Sequence, residues 1–262
     1  MVNISSLALA VLATTAVAGN NPKRGLAAND GIPITNFGGS FKGKKSQVNW
    51  QYNWDSTTKN KMGFTEFVPM LWGTQSYHTN QWHNNVVSWT KKGTKHILGF
   101  NEPDRPDQAN MSPAAAVAAW KKYMEPFAGQ VKLGAPAVSN GGFDWLSKFL
   151  DQCKGCHIDF VPVHWYNDHS LEKDLENWVN KVCKLVKGRK VWITEFQGFG
   201  SPADQSAFLK KAMPFLDKNG CVDRYAYFGT ANPSKVLLQN GGPNLSALGT
   251  QFAFSPFGSG SV

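Results

Sequence analysis

The sequence predicts an α/β protein whose strands close into a single (β/α)8 TIM barrel, and three observations support this prediction. Short apolar segments recur along the chain, with helical segments between them. This alternation continues without a repeat, a change of composition or a serine-rich linker. The length of 262 residues also suits one barrel, which commonly takes about 250 residues. Apolar strands joined by helices are typical of a parallel sheet that is buried on both faces.

Eight segments are candidates for the strands, and each is short and mainly apolar. In chain order they are residues 25–29, 46–54, 64–72, 96–101, 131–138, 158–166, 191–196 and 223–229. Parallel strands in this number close naturally into a barrel. The alternative is an open, doubly wound sheet, which is disfavoured because no glycine-rich phosphate loop follows an early strand.

Three of the helical segments have clear ends. Residues 112–129 and 201–220 both begin with Ser-Pro, an arrangement in which serine caps the helix and proline occupies its first turn. Residues 174–188 place apolar side chains on one face and end at Gly188. Pro214 is expected to kink or split the helix of residues 201–220.

The first 18 residues have the features of a secretory signal peptide. An apolar stretch covers residues 7–17, and small residues stand at positions 16 and 18, the pattern that precedes cleavage. This stretch is shorter than the roughly 20 residues that a membrane-spanning helix needs. We therefore expect a secreted, extracellular protein without a membrane span, in which residues 19–262 form one domain.

The formal net charge of +9 would suit a partner of negative charge. The basic residues are spread along the chain in pairs such as Lys44-Lys45, without the long basic block that is typical of nucleic-acid binding. We expect a monomer with no nucleic-acid partner, whose basic surface is attracted to an acidic cell wall. Asn110 and Asn244 each begin an Asn-x-Ser sequence, which in a secreted chain is an acceptor for N-glycosylation.

Four cysteines suit an oxidising compartment and allow three disulfide pairings, which the sequence leaves open: Cys153, Cys156, Cys183 and Cys221. A zinc site at "CKGC" is the alternative. It is disfavoured because the other two cysteines are too far apart to supply a second closely spaced pair of ligands.

Two apolar segments end in the same unusual way. The segment "KHILGFNEPDRP" runs into Glu102, and "KVWITEFQGFG" runs into Glu195. A lone carboxylate in a dry interior is costly, so both glutamates are expected to face a cleft. The active site of such a barrel lies at the carboxyl ends of the strands, so the glutamates of strands four and seven should share one rim. Two carboxylates across a cleft are the residues that glycoside hydrolysis requires.

The alternation along strand seven predicts the direction of Glu195. A period of two puts Val191, Ile193 and Glu195 on one side, which we expect to face the barrel interior. The same period puts His164 and Tyr166 together on strand six, next to strand seven. From there, their polar groups could hydrogen-bond Glu195 and keep it ionised.

The chain contains ten tryptophans, many for its length, and some are expected to line a binding surface. Four of them stand at or near strand ends, where stacking on sugar rings competes with packing in the core: Trp50, Trp54, Trp72 and Trp165. We expect two of these four to contact the substrate.

Three motifs, "LGFNEPD", "HWY" and "VWITEF", resemble those of the fungal glycoside hydrolase family 128, the catalytic core of the alkali-sensitive-linkage type. The resemblance covers nearly all of residues 19–262. It implies a retaining β-1,3-glucanase, with endo cleavage expected, in which Glu102 is the acid/base and Glu195 the nucleophile. It also implies that Asn101 contacts the sugar 2-hydroxyl beside the cleaved bond. Tyr227 stands where relatives are expected to carry tryptophan, so it would form a weaker aromatic platform for the substrate.

The alternative function is a cell-wall protein that binds β-glucan in the same groove with little or no turnover. The two costly carboxylates facing each other favour the hydrolase. No strand carries the D-x-x-D-x-D-x-E run of a chitinase, and the six histidines are too dispersed for a metal-dependent hydrolase. We therefore expect no metal or cofactor, and β-1,3-glucan or its oligosaccharides as the partner.

Overall fold

The computed structural model describes residues 23–60 and 63–262. The expected signal peptide, residues 1–18, lies outside this part of the chain. Within it, eight parallel strands form one sheet, and each overlaps one of the predicted segments. In chain order they are β1 Arg24–Ala28, β2 Val48–Tyr52, β3 Glu66–Phe67, β4 His96–Leu98, β5 Lys132–Gly134, β6 Phe160–Asp168, β7 Lys190–Phe199 and β8 Val222–Thr230.

Hydrogen bonds join the strands in the order β3-β2-β1-β8-β7-β6-β5-β4. The two ends of this order also meet, because the chain that follows β3 pairs with β4. The amide of Leu98 donates to the carbonyl of Pro69 at 2.8 Å, and the amide of Leu71 donates to the carbonyl of Leu98 at 3.0 Å. The sheet is therefore closed. The predicted (β/α)8 barrel is confirmed, and the open doubly wound sheet is excluded.

Seven α-helices surround the sheet in the described part of the chain. They are α1 Ser76–Thr79, α2 Trp82–Lys91, α3 Pro113–Tyr123, α4 Phe143–Gln152, α5 Glu172–Leu185, α6 Pro202–Lys218 and α7 Ala247–Phe254. A short hairpin, Ser40–Phe41 with Lys44–Lys45, precedes β2. None of the helices in residues 23–60 and 63–262 is both long and apolar enough to cross a membrane.

Serine caps begin α3 and α6, as the Ser-Pro pairs predict. The hydroxyl oxygens of Ser112 and Ser201 each accept a hydrogen bond at 3.2 Å from the amide three residues further on. Pro214, expected to kink or split α6, lies inside a helix that is continuous from Pro202 to Lys218. Apolar side chains on both sides of this proline, such as Phe208 and Leu216, are buried. This packing maintains the helix across the position where one backbone hydrogen bond is lost.

The core consists of two layers that follow from the alternation of side chains along the strands. The larger layer lies between the sheet and the helices. The smaller one fills the barrel interior, where Phe160 stacks on Trp192 with ring centroids 4.1 Å apart, and Trp50 lies 5.2 Å from Trp192. The rings of Trp50 and Tyr52 also stack, at 6.0 Å. These aromatic rings form a packed floor beneath the cleft at the carboxyl ends of the strands.

A polar cluster inside the barrel adjoins this floor. Glu66 accepts hydrogen bonds from His96 Nδ1 at 2.9 Å and from Arg224 at 2.7 Å. The guanidinium of Arg224 also lies over the ring of Trp192, 4.4 Å from its centroid. Burial alone would raise the pKa of Glu66. The hydrogen bond from His96 and the positive charge of Arg224 outweigh that effect and lower the pKa to about 2.

Two disulfides answer the question of pairing that the sequence leaves open. Cys153 is bonded to Cys156 in the loop after α4, and Cys183 in α5 is bonded to Cys221 just before β8. All four thiols are thereby used, so "CKGC" is not a zinc site. The second bridge joins positions 38 residues apart and ties a helix of the outer layer to the end of the sheet.

Candidate active site

Glu102 follows β4 at the rim of the barrel and is 8% exposed. Its backbone φ is +39°, a left-handed conformation that is unfavourable for glutamate. Neighbouring hydrogen bonds hold it there, since the amide of Glu102 donates to the carbonyl of Ala137 at 2.7 Å and the carbonyl of Glu102 accepts from the amide of Arg105 at 3.0 Å. The Arg105 guanidinium also lies 3.3 Å from the Glu102 carboxylate. The local structure therefore tolerates strain in order to direct this carboxylate into the cleft.

Glu195 lies near the end of β7, but not by the simple alternation that the sequence predicts. Val191 and Ile193 pack in the outer layer, and Trp192 points into the barrel. The pairing with β6 then shifts, from Val163 opposite Ile193 to His164 opposite Glu195. The expectation that Val191 and Ile193 share the interior side with Glu195 is therefore wrong. The extra residue, Thr194, is a β-bulge that re-aims the following side chain, a common device beside active sites.

Hydrogen-bond donors surround the Glu195 carboxylate. Its Oε1 accepts from Trp54 Nε1 at 2.7 Å and from the Tyr52 hydroxyl at 3.2 Å. Its Oε2 accepts from the Tyr166 hydroxyl at 2.5 Å. Three donors therefore converge on one buried carboxylate and fix its orientation.

The two tyrosines act as donors because they stay protonated. Burial, followed by the negative charge of Glu195, raises the pKa of Tyr52 and the pKa of Tyr166 well above the ordinary value for a phenol. Tyr166 was expected near Glu195 from the alternation of β6, and the structure places it there. Tyr52 was not singled out in the sequence, because nothing local marks a tyrosine of β2 as a neighbour of β7.

His164 lies between the two carboxylates and is fully buried. Its Nδ1 lies 2.9 Å from Oε1 of Glu102, and its Nε2 lies 3.1 Å from the hydroxyl of Thr194 and 3.4 Å from Oε1 of Glu195. The sequence predicts a hydrogen bond from His164 to Glu195, whereas the structure gives its shortest contact to Glu102. His164 therefore links the two glutamates instead of supporting one of them.

The charge of His164 follows from this position. Burial alone would lower the pKa of His164, but the charge of Glu195 and the hydrogen bond to Glu102 outweigh burial and raise the pKa. A protonated imidazole donates from both nitrogens, so it can hydrogen-bond both sides of the cleft at once.

Glu102, His164 and Glu195 each place one polar atom within 4.8 Å of the others. Within the described residues, this is the one histidine and carboxylate cluster with the ligand types that a metal ion would take. The oxygens of both glutamates already have hydrogen-bond partners within the protein: Glu102 contacts His164, and Glu195 accepts from Trp54, Tyr52 and Tyr166. The arrangement suits proton transfer and attack by a carboxylate better than metal binding.

A pocket of about 220 Å³ opens above the carboxylates. Besides the two glutamates its lining consists of amide and aromatic side chains: Asn29, Trp54, Trp72, Asn101, Gln108, Phe228 and Asn232. A sugar presents hydroxyl groups at its edge and C–H groups on its face. The amide side chains of this lining can hydrogen-bond the hydroxyl groups, and the flat aromatic rings can pack against the C–H face. The Asn101 side chain donates to Gln108 Oε1 at 3.1 Å, while Asn101 Oδ1 is buried without a partner.

Two of the four tryptophans considered in the sequence, Trp54 and Trp72, line this pocket. Trp50 and Trp165 do not. Trp50 is buried in the barrel interior with its Nε1 donating to the carbonyl of Lys23. Trp165 faces the helices, where it stacks on a phenylalanine of α6 and donates to Asp174. Both expectations are corrected by burial, since a fully enclosed ring presents no face to a ligand.

Tyr227 also fails as a substrate platform. It is buried in the outer layer, where its hydroxyl donates to Gln205 Oε1 at 2.7 Å. The next residue of β8, Phe228, is the one that lines the cleft, because successive side chains of a strand point to opposite faces. Four further residues of the pocket lining were not singled out in the sequence: Asn29, Gln108, Phe228 and Asn232. The position of Asn29 and Phe228 at the ends of predicted strands is the signal that could have found these two.

Fold and site together define a barrel hydrolase with paired glutamates at the carboxyl ends of strands four and seven. The chain matches the glycosyl hydrolase catalytic core family over residues 25–252 and belongs to it. Its structural neighbours place it among the GH128 glycoside hydrolases, as the motifs in the sequence predict.

Among relatives, the chain is 33% identical over 242 residues to alkali-sensitive linkage protein 1 of Schizosaccharomyces pombe. That match covers 87% of this chain but only 42% of the relative, so the chain spans about two-fifths of that protein. Among solved structures, it is similar to a GH128 curdlan-specific exo-β-1,3-glucanase from Blastomyces gilchristii in complex with glucose. The identity is 39% and the TM-score 0.79, with 89% of this chain and 98% of the other covered.

A second solved structure is a GH128 endo-β-1,3-glucanase from Amycolatopsis mediterranei in complex with laminarihexaose. It is 26% identical with a TM-score of 0.72, and the match covers 88% of this chain and 98% of the other. Exo-acting and endo-acting enzymes therefore both occur among the structures that this chain resembles.

Proposed function

We propose that this protein is a retaining β-1,3-glucanase in which Glu195 is the nucleophile and Glu102 the acid/base. The observation that carries the proposal is the pair of carboxylates of Glu102, just after β4, and Glu195 on β7, each with one oxygen within 4.8 Å of the other. In retaining enzymes the two carboxyl groups stand about 5–5.5 Å apart, whereas inverting enzymes leave about 6.5–9.5 Å for a water molecule. The bound for this pair joins one oxygen of each carboxylate, and such close oxygens support direct attack by a carboxylate.

The different surroundings of the two carboxylates support their different roles. Glu195 accepts hydrogen bonds from Trp54, Tyr52 and Tyr166, which fix the orientation of its carboxylate for attack as a nucleophile. Glu102 lines the pocket on the other side, where its carboxyl can give a proton to the leaving oxygen and take one back from water. The expected steps are attack of Glu195 on the anomeric carbon, release of the leaving group protonated by Glu102, and hydrolysis of the glycosyl-enzyme ester.

Asn101 supports substrate positioning beside this pair. Asn101 lines the pocket, and its buried Oδ1 has no hydrogen-bond partner within the protein. A buried acceptor without a partner costs free energy unless a ligand supplies a donor. We assign that donor to the sugar 2-hydroxyl next to the cleaved bond, in agreement with the role expected from the motif.

The substrate assignment rests on the relatives, two of which are β-1,3-glucanases by description, one of them in complex with laminarihexaose. We retain endo cleavage as the expected mode. We also propose that the protein acts outside the cell, as its two disulfides favour an oxidising compartment. Secretion is tested by sequencing the N-terminus of protein recovered from the medium, with Gly19 as the expected first residue; an intact Met1 would contradict it.

The test of function is hydrolysis of laminarihexaose, followed by identification of the products and of their anomeric form by NMR. Retention predicts that the new reducing end appears first as the β-anomer. First appearance of the α-anomer would refute the roles assigned to the two glutamates. Internal products of mixed length indicate endo cleavage, and a single product released from the start indicates exo cleavage.

The same assay separates the hydrolase from the alternative, a wall protein that binds glucan without turnover. Glu195→Gln removes the nucleophile but preserves the shape of the site. If the wild type cleaves laminarihexaose and the variant does not, the site is catalytic. Equal binding of laminarihexaose by both proteins with cleavage by neither would favour the binding protein.

A further inference from the structure

Two large aromatic side chains are exposed on the rim that carries the cleft. Tyr77 lies in α1, after β3, and is 74% exposed, while Phe199 ends β7 and is 49% exposed. Single exposed aromatic residues are common on protein surfaces and need no explanation. These two differ because each is the outer end of a row of rings that begins in the cleft.

The first row leaves the cleft at Trp72. The ring of His78 stacks on Trp72, with centroids 5.2 Å apart and an angle of 30° between the planes. The ring of Tyr77 in turn lies 4.4 Å from that of His78. The row therefore runs without a gap from a residue of the pocket lining to an exposed ring.

The second row leaves the cleft at Phe228. Tyr166 meets Phe228 edge to face at 5.6 Å, and Phe199 stacks on Tyr166 at 5.8 Å with only 14° between the planes. Phe199 follows Glu195 by four residues on the same strand, a rise of about 13 Å. Phe199 therefore stands beyond the reacting groups, on the outer side of the cleft.

The order of the strands separates the two rows. In a closed barrel of eight strands, β3 and β7 lie opposite each other. Trp72 and Phe228, where the two rows begin, line the same pocket as Glu102 and Glu195. A ligand chain that contacts both exposed rings therefore crosses the pocket that holds the two carboxylates.

We infer that Tyr77 and Phe199 bind glucosyl residues of one β-1,3-glucan chain that crosses the cleft from rim to rim, one on each side of the cleaved bond. This inference rests on the proposed function. The occupant is a polysaccharide for two reasons. The pocket between the two rows is lined by amide side chains, which can hydrogen-bond hydroxyl groups. Both rows also begin at residues of the catalytic cleft. A flat ring packs against the C–H face of a sugar, and the exposed faces of both residues are free to do so.

This arrangement makes the contribution of both rings depend on chain length. A short oligomer fills the cleft and does not reach both rims, whereas a longer one does. Loss of either ring should therefore weaken the binding of a long oligomer more than that of a short one. A ring that only stabilised the local fold would affect both ligands equally.

The experiment measures the dissociation constants of laminarihexaose and laminaritriose by calorimetry in the Glu195→Gln protein, alone and combined with Tyr77→Ala or Phe199→Ala. Hydrolysis is measured in parallel for the wild type and for the two alanine variants. Each alanine variant should reduce the preference for the hexaose over the triose by about fivefold. Tyr77→Phe and Phe199→Tyr preserve a flat ring and should preserve the preference. Phe41→Ala is the matched control, since Phe41 is 37% exposed but packs on Phe254 beside the last helix.

An unchanged preference in either alanine variant would overturn the inference, because the chain would then reach only one rim or neither. Failure of the proposed function gives a different result. If the wild type binds laminarihexaose through both rings but does not cleave it, the crossing chain stands and the hydrolase fails. If it binds neither oligomer, both are refuted.

Discussion

Glu66, inside the barrel, provides a sharp test of how the electrostatics of the structure contribute to its stability. His96 and Arg224 lower its pKa from 4.5 to about 2, a difference of 4.5 − 2 = 2.5 units. Each unit corresponds to about 1.4 kcal/mol, so ionised Glu66 stabilises the folded state by about 3 kcal/mol. Because the folded pKa lies below the ordinary value, this contribution is complete above pH 4.5 and disappears as the pH falls to about 2.

The perturbation is Glu66→Gln, which preserves the size of the side chain and removes its charge. The free energy of unfolding is measured by urea denaturation of wild type and variant between pH 2 and pH 7. We expect the wild type to be more stable than the variant by about 3 kcal/mol at neutral pH, with the difference shrinking between pH 4.5 and pH 2. Carboxylates common to both proteins cancel in this difference.

Asp151→Asn is the matched control, because Asp151 is exposed at the end of α4. Its removal should produce a difference that stays within about 0.5 kcal/mol across the range. Parallel curves for wild type and Glu66→Gln, with no convergence at low pH, would refute the reasoning, since the charge of Glu66 would then contribute nothing specific to folding.

Three further predictions concern the site and the disulfides. Glu102→Gln and Glu195→Gln should each lower turnover of β-1,3-glucan by at least a hundredfold. Only the Glu102 variant should retain activity on an aryl glycoside whose leaving group needs no proton. Equal loss of activity on that substrate in both variants would refute their separate roles. Replacing Cys183 and Cys221 by serine should lower the free energy of unfolding by about 4 kcal/mol, because this bridge closes a loop of 38 residues. Removing the bridge that closes a loop of 3 residues should lower it by about 1.5 kcal/mol. Both values are measured by urea denaturation, and equal losses would contradict the dependence on loop length. The raised pKa of His164 means that its protonated form stabilises the fold, so this contribution is complete below pH 6.5 and is lost as the pH rises through the raised value. The free energy of unfolding of the wild type should therefore decline as the pH rises, and a His164→Gln variant should lack this decline. An identical decline in the wild type and the variant would contradict the prediction.

The architecture could be predicted from the sequence to a large extent because its signals are local. An apolar run of strand length, a Ser-Pro helix start and a glycine stop each depend on a few neighbouring residues. The order of these elements, with parallel strands and connecting helices, leaves few topologies open. For the same reason Glu102 and Glu195 could be assigned to one rim, since parallel strands carry their carboxyl ends to the same face.

The candidate site was predicted only in part. The positions of His164 and Tyr166 followed from a period of two, but the period failed at Thr194, where one extra residue in β7 turns Glu195 into the barrel. A bulge is set by the pairing of two strands, and one strand alone does not reveal it. The contact of Tyr52 with Glu195 joins residues 143 positions apart and is equally invisible in local sequence.

The sequence by itself determined the barrel, the two glutamates at the strand ends and the family, because each depends on short motifs and on alternation along the chain. Only the tertiary structure decided the disulfide pairing, the position of His164 between both carboxylates, and the division of the aromatic residues between core and cleft. Trp50 and Trp54 are four residues apart on the same stretch of chain, yet one is enclosed in the barrel interior and the other donates to Glu195. The physical reason is that burial and hydrogen bonding depend on which distant segments meet, and strand closure sets that only when the whole chain has folded.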